Sequence, residues 1–182
     1  MQNCSLKFYP AIERLDLVSP TVGLLLKNWQ DSTPVEEIWV AEIDPSKAEG
    51  KVFCEHYRIP ENAGANCVVV EGIRNEKRTL AACVALVGSK MDFNGVVRKT
   101  LKARRVSLAA LPLILQETQM EYGSITFIGL PIQWPILLDS QILNSPRIVV
   151  GSGLIKSKLS LPTKIFVNHP GFNVIEGLAL PA

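Results

Sequence analysis

Short apolar runs broken by glycine, proline and polar residues constrain this chain more than any other feature. They are CVVV at 67–70, LAACVALV at 80–87, WPILLD at 134–139, RIVVG at 147–151 and KLSL at 158–161. Runs of this length, dense in β-branched and small residues, read as buried strands. IWVAEI at 38–43 reads the same way, and the turn chemistry of Gly72 to Lys77 joins two of the runs as a hairpin. Between them lie helical patterns. Ser19-Pro20 followed by Val22, Leu25, Leu26 and Trp29 supplies an N-cap, a proline at the first helical position and an apolar stripe. Asp44-Pro45 opens a helix toward His56 and Tyr57 that Gly50 weakens. Phe93, Val96, Val97 and Leu101 fit a helix starting at Asp92, Pro112 starts one that runs to about Gln119, and a small helix fits between Asp139 and Leu143. Strands and helices interleave without a strict βαβ period, which predicts an α/β (α+β) fold with a mixed, barrel-like sheet rather than a doubly wound one.

A chain of 182 residues can bury a core without disulfides or metal, and residues 1–182 are read as a single domain. Within it, 1–35 form a helical extension, 36–167 the core and 168–182 a C-terminal strand or tail. Cys4, Cys54, Cys67 and Cys83 show no CxxC spacing and read as reduced, cytosolic thiols. His56 and His169 are the only histidines, so a metal site would need scattered ligands, and neither metal nor cofactor is expected. The N-terminal MQNCSLKFYP lacks the apolar run of a secretory signal. The uncharged stretch 122–138 is broken by Gly123, Gly129, Pro131 and Pro135, so it does not read as a membrane span. The expectation is a cytoplasmic protein without membrane contact. A formal charge of +2 is too mild to imply nucleic acid by itself.

Three segments could carry chemistry. In EYGSITFIGLP, Gly123 and Gly129 bracket Ser124, Ile125, Thr126 and Phe127, beside Tyr122. Glycines let the backbone turn tightly and bring its amides to an oxyanion, phosphate or carboxylate, although a plain turn has the same composition. In RKTLKARR, five cations, Arg98, Lys99, Lys102, Arg104 and Arg105, crowd eight residues. On a helix Arg98, Lys102 and Arg105 would share one face able to follow phosphates, or simply form a solvated face. Gly151-Ser152-Gly153 after RIVVG could set a backbone edge at a pocket or mark a bulge, and it lacks the dinucleotide and P-loop fingerprints. His56 and His169 read as surface or satisfied histidines, so no nucleophilic triad forms.

Taken in order, ANCVVVEG, LAACVALV, DFNGVVRKTLKARRVSLA, EYGSITFIGLP, WPILLD and RIVVGSGLIKSKLSL resemble the YbaK/ProX-type aminoacyl-tRNA editing domain over roughly residues 36 to 167. The resemblance implies a mixed-sheet, barrel-like α/β fold, hydrolysis of the ester joining a wrong amino acid to tRNA, and a pocket between the glycine loop and neighbouring strands. That family carries a lysine where this chain has Asn66. Its Gly-Gly-x-x-Pro loop is rendered here as Gly123, Ser124, Ile125, Thr126, Phe127.

On this reading Asn66 and the amides of Gly123 to Thr126 serve catalysis, and Lys102 or Lys90 replaces the missing charge. Tyr122, Phe127, Gly129, Gly151, Ser152 and Gly153 bind substrate, while Arg98, Lys99, Lys102, Arg104 and Arg105 contact tRNA. The partners are a mischarged tRNA and an aminoacyl-tRNA synthetase. No protein nucleophile is needed, because the ester is already activated toward water or the vicinal ribose hydroxyl. The alternatives are a tRNA- or synthetase-associated module without turnover, and a binder of free amino acids.

Overall fold

The apolar runs pair into three sheets in a computed structural model that describes residues 4–167 and 171–181. The strands are β1 (Tyr9–Pro10), β2 (Trp39–Glu42), β3 (Ala65–Arg74), β4 (Lys77–Leu86), β5 (Ser89–Met91), β6 (Arg105–Leu108), β7 (Ile136–Asp139), β8 (Arg147–Gly151), β9 (Ser157–Pro162), β10 (Phe172–Ile175) and β11 (Ala179–Pro181). The helices are α1 (Pro20–Lys27), α2 (Gly50–Tyr57), α3 (Arg98–Thr100), α4 (Leu111–Thr118) and α5 (Lys164–Val167).

One sheet has the order β1-β2-β9-β8, a second β10-β7-β4-β3-β6, and β11 pairs with β5. The second sheet is mixed, since β7 runs parallel to both β4 and β10 while the β3–β4 hairpin and β6 are antiparallel. The mixed α/β class therefore matches the sequence reading. No closed barrel forms: among the described residues the two larger sheets share the hydrophobic core, but the one β-bridge between them is Gly64 to Val149, with Val149 N–H donating to Ala63 O at 2.7 Å. One bridge at the start of β3 joins their edges without closing a ladder.

Local chemistry explains most boundaries. The Ser19 hydroxyl accepts from Val22 N–H to cap α1. The helix expected from Asp44 to Tyr57 divides in two: Asp44 caps a short 3₁₀ turn, and Glu49 caps α2 by accepting from Lys51 and Val52 N–H. The β3–β4 turn sits at Asn75 and Glu76, both at positive φ, so Gly72 stays inside the strand. The amino-terminal segment is woven into the first sheet, with β1 on β2 and Ser157 donating to Leu17 O.

The basic segment departs from its expected helix. Asp92 accepts from Gly95 and Val96 N–H, a π-helical turn covers Phe93–Val97, and α3 ends at Thr100. Lys102 then takes φ 51° and Arg105 lies in β6. The cause is tertiary: Leu101 and Ala103 pack on the bare face of Gly72, and Arg104 N–H donates to Ile73 O at 2.8 Å, drawing the chain onto the edge of β3. Arg98, Lys102 and Arg105 consequently share no helix face. The main core draws on both larger sheets, with Val40, Ile148 and Leu159 from the first and Ala82, Val84 and Leu138 from the second, and in it Phe127, Phe166 and Phe172 meet edge-on at centroid distances of 5.3 to 5.9 Å.

Candidate functional site

Asn66, the second residue of β3, is exposed and leans over the first residue of α2. A Cβ on Gly50 would lie 3.0 Å from Asn66 Oδ1. The glycine that weakens α2 by propensity thus leaves room for Asn66 beside the helix start.

The 121–125 loop is held against the β8–β9 turn from both sides. Glu121 N–H donates to Gly153 O, Gly153 N–H to Ser124 O (each 2.8 Å), and Ser124 Oγ to Leu154 O at 2.7 Å. The Glu121 carboxylate accepts from Ile155 N–H at 2.6 Å. Gly123 turns the loop at φ 84°, and Gly151 lets it approach β8, because a Cβ there would collide with the Ser124 carbonyl oxygen. Two of the four expected amides are taken within the protein: Ser124 N–H donates to Glu121 O and Thr126 N–H to Met120 Sδ. The N–H groups of Gly123 and Ile125 have no acceptor among the described residues.

Asn66, Tyr122, Gly123, Ile125 and Gly151 line one cavity of about 410 Å³. Its walls are otherwise mostly apolar, from Ala65, Val69, Ala109 and Ile114. Cys67 also lines it, and burial pushes its thiol up, which keeps it protonated and unfit as a thiolate nucleophile. The remaining expected residues lie elsewhere. Phe127 is in the aromatic cluster, Ser152 is buried with its hydroxyl on Ser157 and Leu154, and Gly129 and Gly153 make room for Thr21 and Ser19 at the start of α1. Ser124 and Thr126 are buried behind the loop and do not line the cavity. A larger cleft of about 990 Å³, between α2, the β4–β5 turn and β11, holds none of the expected site residues.

Neither Lys102 nor Lys90 reaches the cavity; Lys158 does. It stands in β9, paired with Gly151 on one side and Ala41 on the other, so its side chain leaves the sheet between two small residues. It is only 7% exposed. Nζ donates to Ala48 O at 2.9 Å and lies 5.2 Å from the Phe53 ring centroid. Burial lowers its pKa from 10.5 to about 8, against the raising influence of Cys54 and Glu49. The sequence reading took KLSL as strand and passed over this lysine. Its one signal was a charge in a run whose neighbours on both sides are buried.

The cations of 98–105 gather at the far end of β3. Lys99, Lys102, Arg104 and Arg105 are exposed, while Arg98 is half-buried with Nε on Asn94 O. Arg74 joins them by donating to Lys102 O at 3.1 Å. Arg105 pairs with Ile73, seven positions beyond Asn66 and so roughly 23 Å away at ~3.3 Å per residue. From Arg105, β6 runs straight back to Leu108 and Ala109 on the cavity wall. His56 is exposed and edge-on to Tyr57, whereas His169 lies outside the described residues. No described helix is long and apolar enough to cross a membrane.

A family model described as aminoacyl-tRNA editing domain matches residues 44–167. No curated protein sequence matches the chain. Among solved structures, a candidate trans-editing enzyme for prolyl tRNA synthetase superposes with a TM-score of 0.70 at 16% identity, covering 87% of this chain and 97% of that one. A scaffold protein carrying a grafted epitope gives 0.70 at 15% identity, over 92% and 96% of the two chains. A hypothetical protein gives 0.65 at 15%, over 75% and 88%. At these identities the superpositions speak for the fold.

Proposed function

This chain belongs to the family of aminoacyl-tRNA editing domains, and we propose on that premise that it is a trans-editing deacylase that hydrolyses the ester of a mischarged tRNA. The observation that carries the reading is the cavity that Asn66, Gly123, Ile125 and Lys158 share. An aminoacyl ester needs little more than orientation and a place for negative charge. The free amides of Gly123 and Ile125 take the developing oxyanion. Asn66, with a donor and an acceptor, orients the carbonyl or the α-amino group. Water or the neighbouring ribose hydroxyl attacks, the apolar walls receive the amino-acid side chain, and no protein nucleophile takes part. A synthetase partner follows from the same reading, since such an enzyme corrects a synthetase's errors.

Asn66→Ala lowers kcat/KM for release of labelled amino acid by about 10- to 100-fold while tRNA retention stays within twofold. If a broad panel of mischarged tRNAs stays intact at high protein concentration, the enzymatic reading fails.

The basic end of β3 supports tRNA docking, with β6 leading from the phosphates to the ester. Arg104→Glu with Arg105→Glu weakens tRNA binding by at least tenfold at low salt and flattens its dependence on salt concentration. Filter binding between 50 and 200 mM salt measures both, and an unchanged salt slope refutes this docking face. The uncharged Asn66 supports a second reading, a tRNA-binding module without turnover. Salt-dependent tRNA retention with no deacylation in any arm of the panel would select it.

A further inference from the structure

We infer that Lys158 is the charge-stabilising residue of this cavity, its ammonium facing the ester carbonyl oxygen and neutralising it as it becomes an oxyanion. The inference rests on the deacylase reading and supplies the cation that position 66 lacks.

The lysine is more than nine-tenths buried, yet only one of its three N–H donors has a protein acceptor among the described residues, the Ala48 carbonyl. A buried ammonium with spare donors on the wall of a cavity is arranged to receive an acceptor from a ligand. Placement favours the reacting group. Lys158 pairs with Gly151, and directly paired antiparallel residues project from the same face of a sheet. On that face the missing Gly151 side chain admits the Ser124 and Ile125 carbonyls. The ammonium therefore rises one strand away from the loop that offers the Gly123 and Ile125 amides.

Two titratable groups face it. Cys54, on α2, is pushed up to about 11 chiefly by burial and stays neutral. Glu49, at the cavity rim, spends its carboxylate on the first amides of α2. Ala41 and Phe53 add no charge. Neither group neutralises the cation through a direct ion pair.

In the step itself, the oxygen of water or of the vicinal ribose hydroxyl adds to the ester carbonyl carbon and loses its proton to solvent. The carbonyl π electrons move to the oxygen opposite Lys158. Collapse restores C=O and breaks the bond to the ribose oxygen, which takes a proton from solvent. When the ribose hydroxyl attacked, water then opens the new ester in the same way. The lysine stays protonated throughout and forms no bond to substrate.

The test compares two adenosine-linked analogues of the aminoacyl end, an anionic tetrahedral phosphonate and a neutral amide. Lys158→Met weakens phosphonate binding by about 50-fold and amide binding by less than threefold. Phosphonate affinity in the unaltered protein falls as the pH is raised from 7 to 9.5, whereas in Lys158→Arg it stays flat because the guanidinium keeps its charge. On a mischarged tRNA, Lys158→Met loses about 100-fold in kcat with KM moved less than threefold. Melting curves establish that each variant is folded. Equal losses for both analogues would mean that Lys158 only braces the Ala48 loop, and an unchanged kcat or unchanged phosphonate affinity would overturn the inference outright. Phosphonate binding that depends on Lys158 in a protein that deacylates nothing would sink the deacylase reading and leave the anion site standing.

Discussion

Lys158→Met raises the melting temperature at pH 7 even though it removes a charged contact. Burial is the leading cause of the fall in the Lys158 pKa from 10.5 to about 8, and that fall corresponds to ~3 kcal/mol charged against the folded state at neutral pH. Methionine fills nearly the same volume without a charge. It gives up the bond to Ala48 O, a loss of about 1 kcal/mol. The net gain of ~1–2 kcal/mol amounts to roughly 2–8 °C in a chain of this size.

The pH dependence carries the sign. A lysine whose pKa is lower in the folded protein adds stability only once it loses its proton, so its relative contribution is fully present above 10.5 and is lost as the pH falls through about 8. The methionine variant is therefore ahead at pH 7, and its lead shrinks at pH 10. Melts at both values measure this, and a variant less stable than its parent at pH 7 would show that the buried ammonium is no burden. A group that lowers stability where it sits is expected at a functional position, where stability yields to chemistry.

Gly151→Ala destabilises the protein by about 3 kcal/mol and, on the deacylase reading proposed above, removes deacylation with it. The new Cβ would run into the Ser124 carbonyl oxygen and stand 2.8 Å from that of Ile125. Neither is a side chain that could swing away: both belong to a loop fastened by Gly153 N–H on Ser124 O and by Ser124 Oγ on Leu154 O. Either β8 or the loop must move, and the amides of Gly123 and Ile125 move with the loop. Gly23→Ala is the control, because its Cβ would make ordinary contacts at 3.7 Å inside α1 and improve helix propensity. Urea titration of both variants should separate them by several kcal/mol, and a Gly151 variant as stable as the control would refute the tight approach.

Local sequence carried much of the architecture. Apolar runs too short for helices became strands, and proline-started patterns became α1 and α4, because each segment's periodicity already states how it is to be buried. The segments that misled are those whose shape depends on distant contacts. Residues 98–105 have helical spacing, yet Gly72, some thirty positions earlier, offers a bare strand face that Leu101 and Ala103 cover, and the helix stops. Phe127 sits in a glycine-rich loop that resembles a family's pocket, but Phe166 and Phe172 draw it into the core.

By itself, then, the sequence determined most of the strand and helix segments and the mixed class of the fold. Its resemblance to a family pointed to Asn66 and the loop at Gly123. Only the tertiary structure decided that Gly123 and Ile125 hold the free amides, that the sheets stay open, and that Lys158 is the cation in the cavity. Burial patterns are local and can be read along the chain, whereas the burial of Lys158 beside the loop needs β9 to pair not only with its chain neighbour β8 but also with β2, more than a hundred positions earlier.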